Sequence, residues 1–191
     1  METRTALLDS AERAARQRGF DAFSYADLAR DVGIRKASIH YHFPLKADLA
    51  FALVDRYAAR IADQLTEISN TDTPVAEKLR AFVALYGHAM ANGTQLCLCV
   101  ALSAGRDSLS EPVLAQLTQF HEDCAAWLRQ VFTAAQEDGS VIGLADPKNE
   151  ADALLALVEG AQLIARAAKD VRLFDRAMTA FLARLAATEM T

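Results

Sequence analysis

Gly33 constrains the fold of this chain more than any other residue. It lies between two segments, Ser24–Val32 and Arg35–Phe43, the second of which is too short to be stable alone and must pack on its neighbours. In the first, Tyr25, Leu28, Ala29 and Val32 recur at spacings of three and four and share one helix face. Ser24 is placed to cap that helix, with Asp27 completing a capping box in which Asp replaces Glu or Gln. Glycine at 33 supplies the left-handed backbone that ends a helix and permits a sharp turn. In the second segment Ile34, Ile39 and Phe43 can anchor one face, which leaves Arg35, Lys36, Ser38, His40, Tyr41 and His42 to project outward or sit at the margins. Two short helices about a glycine turn form a helix-turn-helix, whose second helix fits the major groove of DNA. Arg and Lys neutralise phosphates or donate to guanine, and Ser and Tyr add neutral donors. Lys46 follows near the start of the next helix, where a cation beside open backbone N–H groups suits a phosphate. For any one of these residues a solvated basic face is the plainer reading; the ordered set favours nucleic acid.

Phe20, Ser24, the run Ile34-Arg35-Lys36-Ala37-Ser38-Ile39-His40-Tyr41-His42-Phe43, and Lys46-Ala47-Asp48-Leu49 resemble the DNA-binding domain of TetR-family transcriptional repressors. The pattern spans roughly residues 4–50. The resemblance implies an all-α chain with an N-terminal three-helix helix-turn-helix domain and a larger C-terminal helical domain for ligand binding and dimerisation. It further implies a homodimer on a palindromic double-stranded DNA operator, released when a small molecule of unknown identity binds. Ser24, Arg35, Lys36, Ala37, Ser38, His40, Tyr41, His42 and Lys46 would face DNA. The chain departs from the pattern at Arg35, where Ser is frequent, at His40, where Tyr is frequent, and at Leu45, where a polar cap is frequent.

A net charge of −5 looks unsuited to DNA until it is divided along the chain. Residues 1–50 carry eight Lys/Arg against seven Asp/Glu, whereas residues 51–191 carry twelve against eighteen. The acidity belongs to the second part, and local placement of cations decides DNA binding. With 52% apolar residues, eight Gly and four Pro, the chain reads as globular and all-α. No signal-like arrangement occupies residues 1–20, and the apolar stretch 153–168 is interrupted by Glu159 and Arg166, too short for a bilayer span. A cytoplasmic chain with no membrane partner is expected. Three cysteines without metal or CxxC spacing are read as reduced thiols. No phosphate loop, nucleophile elbow or metal-spaced cluster appears, so neither enzyme nor cofactor is expected, and His40 and His42, two apart, make a poor metal pair.

The domains are expected to divide as 1–50 and 51–191. Helices are expected over 4–18, over 44–70 as a mechanical link, over 75–91, over 96–104 as a short buried helix, and from Ser110 along a seam through Trp127 to Val131. A polar loop over 136–149 and a hairpin of helices at 149–168 and 170–187 follow. The hairpin carries more apolar surface than one stripe needs, so Leu157, Ala161, Ala165, Phe174, Met178, Phe181 and Leu185 are candidates for a two-fold interface. Candidate effector contacts are Phe82, Tyr86, Met90, Cys97, Phe120, Trp127 and Gln162, with Trp127 favoured as the one large aromatic of its kind. The run Cys97-Leu98-Cys99-Val100-Ala101-Leu102-Ser103-Ala104 is similar to a segment of TetR-family members that sense electrophiles or oxidants. That implies an alternative switch, covalent modification at Cys97; an inert buried cysteine is the plainer reading.

Overall fold

The structure, a computed structural model, describes residues 2–185. Among these residues nine α-helices follow one another: α1 Glu2–Arg18, α2 Tyr25–Val32, α3 Lys36–His42, α4 Lys46–Ser69, α5 Val75–Ala89, α6 Leu98–Ser103, α7 Glu111–Asp138, α8 Pro147–Ala168 and α9 Arg172–Leu182. Short 3-10 turns at Phe20–Ala22 and Arg106–Ser108 join their neighbours. The all-α expectation holds. The chain folds into two compact units, residues up to Arg60 with Gln95–Phe120, and Ile61–Thr94 with the residues from His121 onward. The boundary expected after residue 50 falls inside the first unit, which runs on to Arg60 and gains Gln95–Phe120 because α6 packs against α1. Sequence separation hid that return of the chain.

In the first unit Leu7, Leu8 and Ala11 of α1, Leu28 of α2, Ile39 of α3 and Leu49 and Leu53 of α4 are buried. Phe20 and Phe23 turn inward edge to face, 5.5 Å apart. In the second unit α5, α8 and α9 pack together, with Leu79, Phe82, Leu154, Val158, Phe174 and Met178 buried. Gly87 lets α5 approach α9, since a Cβ there would lie 3.3 Å from the Phe174 ring.

Several boundaries differ from expectation for local reasons. Helix α4 begins at Lys46, so Pro44 lies ahead of it, and the Leu45 N–H is satisfied by the Asp48 carboxylate at 2.9 Å. Helix α7 continues to Asp138, and α8 begins at Pro147. The polar loop is therefore shorter than 136–149. Asp146 caps α8 by accepting from the Asn149 N–H, with Pro147 in the first turn. Arg184 fixes the loop, reaching the Glu150 carboxylate at 2.6 and 2.9 Å and the carbonyls of Ile142 and Gly143 at 3.1 Å each. The last expected helix, 170–187, ends at Leu182; residues 183–185 follow it without helix, and 186–187 lie outside the described residues. No helix among the described residues is long and apolar enough to cross a membrane.

Candidate nucleic-acid interface

The turn between α2 and α3 forms as the residues dictate. The Ser24 hydroxyl accepts from the Asp27 N–H, and the Ser24 N–H donates to the Asp27 carboxylate at 2.9 Å, the full reciprocal box. Gly33 sits at φ 76°, ψ 31°, and its N–H and that of Ile34 both donate to the Ala29 carbonyl at 3.0 Å. Helix α3 is then held from behind. Ile39 and Phe43 are buried, and the Tyr25 hydroxyl donates to the carbonyls of Phe43 and Leu45 at 2.9 and 2.8 Å. Burial and then the Asp48 charge push the Tyr25 phenol up to about 12, so it stays a donor across ordinary pH. The Arg4 guanidinium lies 5.2 Å from the Phe43 ring centre.

What remains outward is the predicted set. Arg35, Lys36, Ala37 and His40 are exposed, Ser38 and His42 are half-buried, and Tyr41 is 84% exposed. His40 Nδ1 lies 3.3 Å from the Pro44 carbonyl oxygen, which fixes the ring at the end of the helix. Two residues of the set have other partners. The Ser24 hydroxyl is engaged in the cap of α2. The Lys46 ammonium donates to the carbonyls of Phe20 and Phe23 at 2.8 and 2.9 Å and lies 4.7 and 4.8 Å from their ring centres. Burial pulls its pKa down, against the opposing charge of Asp21. With two of its three N–H donors so engaged, Lys46 ties the turn before α2 to α4.

A charged cluster that the sequence did not foreshadow joins α1 to α4. The Glu12 carboxylate is 6% exposed and accepts from Arg16 at 3.3 Å, Arg56 at 2.8 Å and Arg60 at 2.5 Å. Burial alone would raise this carboxyl; Arg60 and then Arg56 hold it below its ordinary value. Arg16 and Arg60 also lie over the Tyr57 ring, 5.8 and 4.8 Å from its centre. The Tyr57 hydroxyl is hydrogen-bonded to Cys97, and burial first, then that thiol, push the phenol well above its usual value. Cys97 stands at the N-cap of α6 and is 2% exposed. Glu12 and Arg16 are four apart on one helix, but Arg56 and Arg60 lie 44 and 48 residues from Glu12, too far for any periodicity to join them.

The effector candidates divide between the units. Phe82, Tyr86, Met90, Trp127 and Gln162 belong to the second, where the Phe82 and Trp127 rings stack 5.5 Å apart and Phe82 meets Tyr86 at 5.1 Å. Gln162, fully buried, donates to the Tyr86 carbonyl at 2.6 Å, and the Trp127 indole N–H donates to the Ser69 hydroxyl at 2.8 Å. His121 faces Glu159 at 3.3 Å. Cys97 and Phe120 belong to the first unit, where the Phe120 and Tyr57 ring centres are 6.2 Å apart. Most of the interface candidates face inward. Ala161, Ala165, Phe174, Met178, Phe181 and Leu185 are buried within the unit's own core, and only Leu157 is partly open. The open apolar face of α8 consists instead of Ala153, Ala156, Leu157, Gly160, Leu163 and Ile164, the last two 43% and 61% exposed. Among the described residues no group of His, Cys, Asp and Glu has the arrangement of a metal site.

Residues 7–53 match the family described as bacterial regulatory proteins, tetR family, and residues 75–181 match the tetracyclin repressor-like C-terminal domain. The HTH-type transcriptional repressor NemR of Escherichia coli K12 is 26% identical over 183 residues, covering 93% of this chain and 90% of that protein. The crystal structure of a TetR-family transcriptional regulator from Agrobacterium tumefaciens superposes with a TM-score of 0.91 at 30% identity, covering 97% of this chain and 98% of that one. The reduced form of E. coli NemR superposes at 0.82 with 25% identity over the whole of both chains.

Proposed function

The chain belongs to the TetR family of bacterial regulatory proteins, and on that premise we propose that it is a repressor that binds a palindromic operator as a homodimer and releases it when a small molecule binds. The observation that carries this reading is the exposed row Arg35, Lys36, Ala37, His40 and Tyr41 on a helix anchored from behind by Ile39, Phe43 and the Tyr25 hydroxyl. Such a helix presents phosphate partners and base-reading donors on a rigid support. Two copies place two such helices on successive major grooves, about 34–36 Å apart on B-DNA. The second copy docks on the open apolar face of α8 around Leu157, Leu163 and Ile164, a patch that otherwise leaves large apolar side chains in water.

The effector acts by favouring a dimer whose recognition helices no longer match those grooves. The place proposed for a small ligand is the cluster of Phe82, Tyr86 and Trp127 with Gln162, where aromatic faces and a few polar groups are packed together. A second reading places the trigger at Cys97. It is supported by the hydroxyl of Tyr57 on that thiol and by the likeness to NemR, a protein whose solved structure is named for its reduced form. In this reading the Cys97 sulfur bonds to the β-carbon of an α,β-unsaturated carbonyl compound. The alkene π pair moves to the α-carbon, which takes up the proton that the thiol released. The test is selection of binding duplexes from a random pool, followed by titration of the selected operator. A two-fold symmetric sequence supports the proposal, and sequence-independent binding contradicts it. N-ethylmaleimide separates the triggers: release from wild type but not from Cys97→Ser supports the cysteine reading, and equal behaviour of both removes it.

A further inference from the structure

Arg16 occupies the last turn of α1, where backbone carbonyls have no partner inside the helix. Its own carbonyl accepts from the Leu96 N–H at 3.1 Å, and its side-chain Nε donates to the Leu96 carbonyl at 2.8 Å. The same guanidinium reaches the Glu12 carboxylate and lies over the Tyr57 ring. Leu96 immediately precedes Cys97, the N-cap of α6. All of these residues lie in the first unit, together with the recognition helix. We propose that Arg16 is the positioning residue that transmits a disturbance at Cys97 to the DNA-binding helices. The proposal rests on the reading of Cys97 as a reactive site.

Lack of space at the sulfur and the bonds shared by Arg16 and Leu96 provide the coupling. Cys97 is 2% exposed, so an adduct on its sulfur has to displace packed neighbours, and close-packed interiors yield by shifting backbone rather than by compressing. The backbone at 96–98 must move, and the paired Arg16–Leu96 bonds then break or draw the end of α1 with them. Helix α1 is joined to α2 by the Ser10 hydroxyl and the Arg13 guanidinium, both on the Asp31 carboxylate at 2.5 and 2.8 Å. A displacement of α1 therefore reaches the capped α2 and, through the Gly33 turn, α3.

The experiment alkylates the full-length protein with N-ethylmaleimide, locates the adduct by peptide mass spectrometry, and reads both amide hydrogen exchange and operator affinity. In wild type, alkylation at Cys97 is expected to speed exchange at the Leu96 amide and through the last turn of α1, and to weaken operator binding by about tenfold or more. Arg16→Met keeps the apolar stem and leaves Glu12 paired with Arg56 and Arg60. Unreacted, it is expected to bind operator as wild type does within about threefold; alkylated, it keeps most of that affinity. Unchanged exchange in α1 of alkylated wild type overturns the proposal, as does full release from alkylated Arg16→Met. Altered α1 exchange with operator still bound supports the Arg16 link and instead defeats the reading of Cys97 as a switch. A Cys97 that resists the reagent defeats both. Exchange in α1 is read on wild type, so that arm tests the Arg16 link whether or not the variant folds.

Discussion

Lys36 and Lys46 stand ten residues apart and are chemically alike, yet their surroundings give them different work. Lys36 is exposed on α3, whereas the Lys46 ammonium donates to two carbonyls beneath two aromatic rings. Lys46→Ala is expected to cost about 1–3 kcal/mol of stability, as befits bonds to a charged donor, and to leave the salt dependence of operator binding unchanged. Urea unfolding and binding titrations at several salt concentrations measure the two effects. Glu12 makes a pH prediction at the same scale. Arg60 and Arg56 overcome the burial that would raise it and hold it below 4.5. A carboxyl lowered by folding stabilises the fold fully above its unfolded value, and that contribution fades as the pH falls through the folded value. Wild type is therefore expected to lose more stability than Glu12→Gln between neutral pH and about pH 4 or below, as read from urea midpoints. Equal losses would show that the cluster carries no such coupling.

Helices whose limits depend on near neighbours were legible in the sequence. Ser24, Asp27 and Gly33 announce α2 and its turn because caps act across three or four residues. Gly33 adopts φ 76° with open space around its Cα, so Gly33→Ala costs only the backbone strain, about 1–2 kcal/mol. The Asp146-Pro147 pair carried an equally local signal for α8, cap then first-turn proline, which the polar composition around it obscured. Asp146→Ala is expected to cost about 1 kcal/mol, measurable as a lowered Tm. What the sequence could not disclose rests on distant partners. Lys46 meets carbonyls 23 and 26 residues away, and Arg16 meets Leu96 across 80. The inner and outer faces of α8 are both apolar, so periodicity could not say that Ala161 and Ala165 turn inward while Ile164 turns out; packing of α5 and α9 decides that.

On the scale of the whole molecule, the proposed function requires the pairing face of α8 and the DNA-facing helix to act together. Ile164→Glu sets a charge on the open face of α8 without touching the buried core. It is expected to yield a folded monomer in sedimentation, with operator affinity lowered by the loss of two-site binding; a dimer of wild-type strength would move the interface elsewhere. The function proposed for this chain turns on the cations of α3. Its most direct test is the salt dependence of affinity for the selected operator, measured for wild type and for the Arg35→Ala, Lys36→Ala double variant. Phosphate neutralisation by these cations predicts weaker binding and a log–log slope shallower by about one for each phosphate left without its cation. An unchanged affinity and slope in the double variant would contradict the placement of DNA on this helix.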